Sequence, residues 1–348
     1  MSWFPERGER SWLRKFCTRV LKTGPIPKHV AIIMDGNRRF AVKNSMARAE
    51  GHLKGFDKLT ETLEWCLDLG IMEVTVYAFS IENFKRSKEE VECLMELSRK
   101  KFAKLMEEKD LLEKHGVCIR VLGDLSLLPQ DLQETIAEAV ILTRNNTRAR
   151  LNVCFSYTSR NEICCAMRDV IEGVRIGLIK ESDISEDVLD RCMYTAPSSS
   201  PDLLIRTSGE VRLSDFLLWQ ATFSVLSFVQ VLWPDFSIWH LYAAILHYQR
   251  NHHDVKMVEK RNKDIDQSLV HDSDVMSTQE LTSNTNLEKP PVSDFHNSTL
   301  DDRIEGYVHL RKRRIQTFLD HVHSERSRVM EDTLGHARTC PKLSEPAG

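Results

Sequence analysis

No stretch of the 348 residues is apolar for long enough to cross a bilayer. The most apolar long window, Phe216 to Trp233, is interrupted by Gln220, Thr222, Ser224 and Gln230 and reads as core. Positive charge is not in excess either. Against 48 Lys and Arg stand 51 Asp and Glu, a formal net charge of −3, so no broad basic footprint points to nucleic acid. The nine cysteines are odd in number and scattered, without paired metal-ligand spacing, and Cys164 and Cys165 are merely adjacent. That usage suits reduced thiols in the cytosol better than a disulfide framework or a zinc site. The N-terminus lacks a continuous apolar segment, which predicts no cleaved signal peptide. No internal repeat is visible. What remains is a chain with 41% hydrophobic residues, enough for one large domain with appendages or for two small domains.

The most informative stretch runs from Lys28 to Arg39. Val30 to Met34 is a short apolar run of the kind buried on both faces of a sheet. It stops on Asp35, Gly36, Asn37, Arg38 and Arg39. Ligands of open α/β sheets collect just beyond the carboxyl ends of strands. A carboxylate there can hold a divalent cation, and glycine lets the backbone approach an anion closely. A helix starting at Asn37 would aim free N–H groups at the same spot, and the arginines add forked donors for phosphate oxygens. The stretch fits a magnesium–diphosphate site, and taken alone it fits an ordinary Asp-Gly turn equally well.

Five more apolar runs follow: Glu73 to Phe79, Val117 to Leu122, Leu151 to Phe155, Leu203 to Ile205 and Val225 to Val231. Helical patterns separate them, which predicts an α/β fold, a six-stranded, mostly parallel sheet flanked by helices. Helices are expected from about Lys54 to Leu69, from Ser87 as N-cap to about Lys114, from Pro129 to Thr143, from Ser159 to about Gly173 and from Asp235 to Gln249. Polar chemistry recurs at strand ends, with Ser80, Glu82, Asn83, Lys85 and Arg86 after the second run. After the fifth come Arg206, Thr207, Ser208, Glu210, Arg212 and Ser214. Arg206, Arg212 and Ser214 read as a second anion-binding set, separate in sequence from Asp35, Arg38 and Arg39. Two diphosphate sites on one apolar domain suit the joining of two diphosphates.

Three segments are expected: an N-terminal amphipathic helix within residues 1–24, a catalytic domain over 25–250 and a charged tail over 251–348. In the first, Trp12, Leu13, Phe16, Cys17, Val20 and Leu21 share a face, and Arg14, Lys15, Arg19 and Lys22 are all basic. Such a helix can lie on an anionic bilayer or dock on the protein's own core. In the tail, about 264 to 300 reads as a flexible insert rich in Ser, Thr, Asn and Asp. A helix is expected from about 302 to 331, with Arg311 to Arg314 as its solvated face.

Four motifs, in order, carry a resemblance: His29 to Asn37, Arg48-x-x-Gly51-His52, Phe79 to Arg86, and Asp202 to Ser214, closed by Leu232 to Phe236. Together they resemble the cis-prenyltransferases over about residues 24 to 250. The resemblance implies a transferase that elongates farnesyl diphosphate with isopentenyl diphosphate, each new double bond cis. The product would be a long polyprenyl diphosphate for dolichol synthesis and protein glycosylation. It implies Mg²⁺ on Asp35, with the allylic diphosphate on Gly36, Asn37, Arg38, Arg39, Arg48 and Arg86. Isopentenyl diphosphate would sit on Arg206, Arg212 and Ser214, with Glu210 in the same loop. His52, Ser80 and Asn83 would lie near the reacting atoms, Asn83 assisting proton removal. The growing chain needs an apolar tunnel, for which Leu63, Leu67, Leu105 and Ile141 are candidates and equally expected as plain core.

Two departures separate this sequence from the bacterial pattern. Val225 stands where bacterial members carry a metal-associated Glu. The C-terminal third has no Arg-x-Gly triplet, and Arg175-Ile176-Gly177 lies in mid-domain. This resembles the eukaryotic arrangement, which implies a Nogo-B-receptor-like regulatory subunit that supplies the triplet, and a peripheral place on the cytosolic face of the endoplasmic reticulum membrane. A non-catalytic scaffold subunit is disfavoured because it need not keep a metal carboxylate beside arginines. A phosphatase of the haloacid dehalogenase kind would need a second Asp where Asn37 stands.

Overall fold

The computed structural model describes residues 11–283 and 300–339. Its centre is β1 (His29–Ile33), whose five residues are all buried. β2 (Glu73–Ser80) and β5 (Leu203–Arg206) flank it, β4 (Ala149–Tyr157) and β3 (Val117–Leu122) extend the sheet beyond β2, and β6 (Val225–Phe228) extends it beyond β5. Every pairing is parallel, in the order β3-β4-β2-β1-β5-β6. A strand with neighbours on both sides and helices above and below must be apolar on both faces, which is why the Val30 to Ile33 run sits here. From β1 the chain builds one half of the sheet through β2 and the other through β5. The crevice where an open α/β sheet binds its ligand lies at such a reversal.

The helices begin with α1 (Trp12–Leu21), α2 (Asn37–Lys43), α3 (Arg48–Leu69), α4 (Lys88–Glu107) and α5 (Lys109–His115). They continue with α6 (Gln130–Thr143), α7 (Ser159–Arg175), α8 (Glu186–Arg191), α9 (Ile238–Ser283) and α10 (Leu300–Thr339). By their contacts the residues form two units. One comprises 1–162, 198–256 and 328–348 and contains the whole sheet; the other comprises 163–197 and 257–327.

Several expectations are corrected. α3 starts at Arg48, six positions before Lys54, so Arg48, Gly51 and His52 are helical rather than in a loop. Glycines depress helix propensity and hide this start. At Gly55 an added Cβ would stand 2.3 Å from Asn37 Oδ1, so the glycine is a packing requirement. The single helix expected up to Lys114 breaks at Glu108 into α4 and α5. β6 ends at Phe228, before Val231.

α9 does not stop near Gln249 but continues to Ser283 through the first part of the expected insert. Residues 284–299 lie outside the described residues. The reason for the longer helix is tertiary. Within the second unit, Asp274 is 3.1 Å from Nε of Arg311, and both side chains are nearly inaccessible. Arg314 grips the fully buried Asp183 with two bonds of 2.9 and 2.7 Å. Arg311 and Arg314 are therefore not on a solvated face, whereas Lys312 and Arg313 are. Composition reports how polar a segment is and is blind to a distant partner.

α1 docks in the first unit. Thr18 Oγ1 lies 2.7 Å from Tyr242 Oη, and Gln249 Nε2 donates to Leu21 O at 2.8 Å. Leu21 is buried, while Trp12, Phe16 and Val20 are 76%, 57% and 51% exposed. Among the described residues no helix is long and apolar enough to cross a membrane.

Candidate active site

β1 ends at Ile33 and the backbone turns at once. Gly36 takes φ +110° as N-cap of α2, and a Cβ there would stand 2.9 Å from Leu232 Cδ2, so both conformation and space demand glycine. Asp35 is fixed through its backbone. Its N–H donates to Thr207 Oγ1 at 3.0 Å, Thr207 Oγ1 donates back to Asp35 O at 2.7 Å, and Trp233 N donates to the same carbonyl at 3.0 Å. The carboxylate is thereby held at the carboxyl end of the central strand.

Arg206, the last residue of β5, is 3% exposed and spans the crevice. Its Nη2 donates to Asp35 Oδ2 at 2.8 Å, and its Nη1 donates to Ser214 Oγ at 2.7 Å and to Arg212 O at 2.5 Å. The two sets that look separate in sequence are thus joined by one guanidinium. Arg39 adds a second link. It donates to Ser208 Oγ at 2.6 Å and lies 3.5 Å from both Asp35 Oδ1 and Glu210 Oε1. Glu210 also sits 3.5 Å from Arg212, whose side chain is 65% exposed. Burial pushes the Asp35 carboxyl up, but hydrogen bonds from Arg206 and Ser208 and the charges of Arg206 and Arg39 outweigh it, leaving its pKa below the usual value.

Across the cleft a second cation cluster surrounds Glu90. Arg86 donates to it at 2.9 Å, and Arg38 and Arg48 lie 3.5 Å away. The carboxylate itself is 8% exposed. Three guanidinium groups on one acid leave a net positive surface in fixed orientation. Arg48 reaches this cluster without lining the cleft. Ser80 and Asn83 form a reciprocal cap at the end of β2: Ser80 N donates to Asn83 Oδ1 at 3.0 Å, and Ser80 Oγ accepts from Glu82 N at 3.2 Å. His52 Nε2 is buried without a partner, as are Asn37 Oδ1 and Arg206 Nε. Burial, aided by Arg86, pushes the His52 pKa down to about 4, so the ring is neutral at physiological pH.

These groups line one cleft of about 930 Å³. Asp35, Gly36, Asn37, Arg38, Arg39, His52, Ser80, Asn83, Arg86, Arg206, Glu210, Arg212 and Ser214 all face it. Its wall at His52, Asn37 and Leu94 is shared with a small apolar cavity of about 130 Å³ floored by Leu59, Phe102 and Trp233. A larger one, about 290 Å³, lies between α3 and α5 against the first residues of β2, β3 and β4, with Leu105 of α4 in its wall. Leu63, Leu67 and Leu105 line it as expected, while Ile141 is not among its lining residues.

The sequence alone gives no role to Glu90, Thr207, Tyr77, Arg160 and Asp215. Glu90 was hidden by a competing signal, since Ser87-x-x-Glu90 reads as a helix start and indeed Ser87 Oγ accepts from Glu90 N at 3.3 Å. Thr207 and Asp215 lay in view inside the Arg206 to Ser214 stretch and its flank, but nothing local gives them partners.

Among the described residues no group of three His, Cys, Asp or Glu side chains could hold a metal ion. Asp35 could hold Mg²⁺, which takes one or two carboxylates and completes its shell with water and substrate phosphates. Its side chain lines the cleft and is 32% exposed, with Oδ1 3.5 Å from Arg39. Val225 is buried at the start of β6 and offers no ligand.

The fold agrees with what known proteins show. A family model described as putative undecaprenyl diphosphate synthase matches residues 33–256. The human dehydrodolichyl diphosphate synthase complex subunit DHDDS is 63% identical over 252 residues, covering 72% of this chain and 75% of that protein. The mouse protein of the same name is 52% identical over 316 residues, 88% and 94% of the two chains. The crystal structure of lavandulyl diphosphate synthase from Lavandula x intermedia, in complex with dimethylallyl diphosphate, superposes with a TM-score of 0.61 at 34% identity, covering 64% of this chain and 95% of that one. A carboxylate and two arginine clusters at the reversal of a parallel sheet, on a sequence matched over most of its sheet domain, leave one assignment: the chain belongs to the undecaprenyl diphosphate synthase family, the cis-prenyltransferases.

Proposed function

We propose that the cleft joins farnesyl diphosphate to successive isopentenyl diphosphate units, lengthening a cis-polyprenyl chain. The observation that carries this is the Arg206 bridge: one buried guanidinium ties the carboxylate of one diphosphate set to the serine of the other. Two anions held at that spacing would bring an allylic carbon and a homoallylic double bond face to face.

The allylic diphosphate would rest on the N-terminus of α2 and on Arg38, Arg39 and Arg86, with Glu90 keeping the guanidinium groups in orientation. Isopentenyl diphosphate would take Arg212, Ser214 and the Arg206 face turned toward them. Bound Mg²⁺, held by Asp35 and phosphate oxygens, would neutralise charge on the departing diphosphate. The arginines stabilise that same charge as it develops, and the neutral His52 adds no positive charge beside a developing allylic cation. Asn83, oriented by Ser80 N, is positioned for the later loss of a proton. The chain would grow past His52 into the apolar cavities along α3.

The same reading extends to assembly and location. The human and mouse relatives are named as subunits of a complex. A Nogo-B-receptor-like partner would bring the Arg-x-Gly donors, and the exposed apolar face of α1 would rest on the cytosolic surface of the endoplasmic reticulum membrane, where a dolichol precursor is needed for glycosylation. The test incubates the chain with farnesyl diphosphate, labelled isopentenyl diphosphate and Mg²⁺, with and without the partner, and sizes the products. Long cis-polyprenyl diphosphates at a rate raised about ten- to a thousandfold by the partner are expected, the scale of a supplied transition-state donor. No elongation under either condition would overturn the reading.

A further inference from the structure

The loop after β5 carries the isopentenyl diphosphate ligands on a backbone that side chains seldom adopt. φ is +78° at Ser208, +50° at Ser214, +60° at Asp215 and +47° at Leu217. Such conformations persist only where the surroundings over-determine them. Here the surroundings are two residues at the start of α7. Ser159 N donates to Asp215 O at 2.8 Å, and Arg160 N donates to Asp215 Oδ1 at 3.1 Å. Arg160 Nε donates to Asp215 Oδ2 at 2.7 Å, and Leu218 N returns to Ser159 Oγ at 3.0 Å. The first N–H groups of a helix have no partner inside it. α7 satisfies two of its own with Asp215, 55 positions beyond Arg160 in sequence.

The turn is fixed from inside as well. Phe216 is fully buried and stacks on Tyr77, with centroids 4.6 Å apart and planes 16° from parallel. Tyr77 Oη donates to Ser214 O at 3.4 Å and to Tyr157 O at 3.1 Å. Between these two anchors stands Ser214, whose hydroxyl accepts from Arg206.

We propose that Asp215 and Arg160 are positioning residues for the isopentenyl diphosphate half of the cleft, locking the turn that presents Ser214 and Arg206 to the substrate. This rests on the elongation reading above. An ion pair whose arginine side chain is 74% exposed contributes little through charge alone. Its effect lies in geometry, because one carboxylate is gripped by a backbone N–H and a guanidinium together. Asp215→Ala removes both grips, Arg160→Ala removes only the guanidinium, and Asp215→Asn keeps an acceptor for the backbone N–H.

The test is steady-state kinetics with each substrate varied, with calorimetric titration of isopentenyl diphosphate alone into wild type and the three variants, and their melting temperatures. Asp215→Ala should raise KM for isopentenyl diphosphate about ten- to a hundredfold, the range for lost charge-assisted bonds, with Arg160→Ala and Asp215→Asn a few-fold. KM for farnesyl diphosphate and kcat should stay within about twofold. A purely structural role would lower the melting temperature and weaken both substrates together, and that result overturns the proposal, as does unchanged KM in all three variants. If Asp215→Ala does not fold, the two milder variants decide. Failure of the wild type to bind isopentenyl diphosphate would instead overturn the elongation reading on which this rests.

Discussion

Nη2 of Arg206 lies 2.8 Å from Asp35 Oδ2 while Nη1 of the same group lies 2.7 Å from Ser214 Oγ. Asp35 and Arg206 therefore act as one unit, and their substitutions should not add. Asp35→Ala is expected to abolish elongation and also to weaken isopentenyl diphosphate, because Arg206 loses its anchor. Arg206→Ala should impair both substrates and lower stability by about 1–3 kcal/mol, since a part-buried charge-assisted bond to Asp35 is lost. Arg212→Ala, more exposed and paired at 3.5 Å to Glu210, should raise only the KM for isopentenyl diphosphate, about tenfold. A double-mutant cycle of Asp35 with Arg206 measures the coupling, and strict additivity would refute the shared unit.

Glu90 neutralises part of a three-arginine cluster, so Glu90→Gln should let Arg38, Arg48 and Arg86 repel one another. Stability should fall by about 1–3 kcal/mol and KM for the allylic substrate should rise. Inorganic diphosphate should restore part of the lost melting temperature, because an anion can take the missing place. A variant that melts like wild type and gains nothing from diphosphate would show that Glu90 has no orienting role.

His52 gives a pH dependence with a definite sign. Its pKa of about 4 in the folded chain lies below the ordinary 6.5, so from pH 6.5 down to about 4 the unfolded chain binds a proton that the folded one does not. Stability contributed by the neutral ring is complete above 6.5 and is lost as pH falls toward 4. Urea midpoints across this window should climb less steeply with pH in His52→Gln. His29, whose pKa is also lowered by burial, leaves a residual slope. Identical slopes in variant and wild type would remove His52 from the account.

α1 offers Trp12, Phe16 and Val20 outward beside Arg14, Lys15 and Arg19. Vesicles containing anionic lipid should bind the protein, less so as salt is raised. Trp12→Ser with Phe16→Ser should release it without lowering the melting temperature, because neither side chain packs inward. Unchanged flotation of that double variant would leave α1 as a docked helix only.

All six strands, their parallel sense and many of the polar residues that line the cleft were legible from strand-length apolar runs that end on acids, amides and arginines, whereas Tyr77, Arg160 and Asp215 line it unannounced. That signal is local, and the fold preserves it because the neighbouring strands β2, β1 and β5 end at one crevice. What was not legible is pairing across the crevice. Arg206 and Asp35 are 171 positions apart, and Arg160 and Asp215 are 55 apart. No periodicity encodes those distances. Glu90 was obscured because one residue serves both as a helix start and as the centre of a cation cluster. The continuation of α9 and the buried arginines of α10 were lost for a related reason, as their acids lie far away in the chain.

The grip of Arg314 on Asp183 bears on how the gene can be shortened. The family match ends at residue 256 and invites a cut there. Asp183 lies inside the matched span, fully buried, and besides the Lys180 N–H it is held by two bonds from Arg314, beyond that boundary. A chain cut at 256 would keep the whole sheet and leave this carboxylate stranded without its cation, a loss of several kcal/mol by the usual scale for a buried pair broken on one side. A shortened chain that precipitates would then say nothing about the catalytic cleft, and a useful trim would stop beyond Arg314 or replace Asp183 with an apolar residue at the same time.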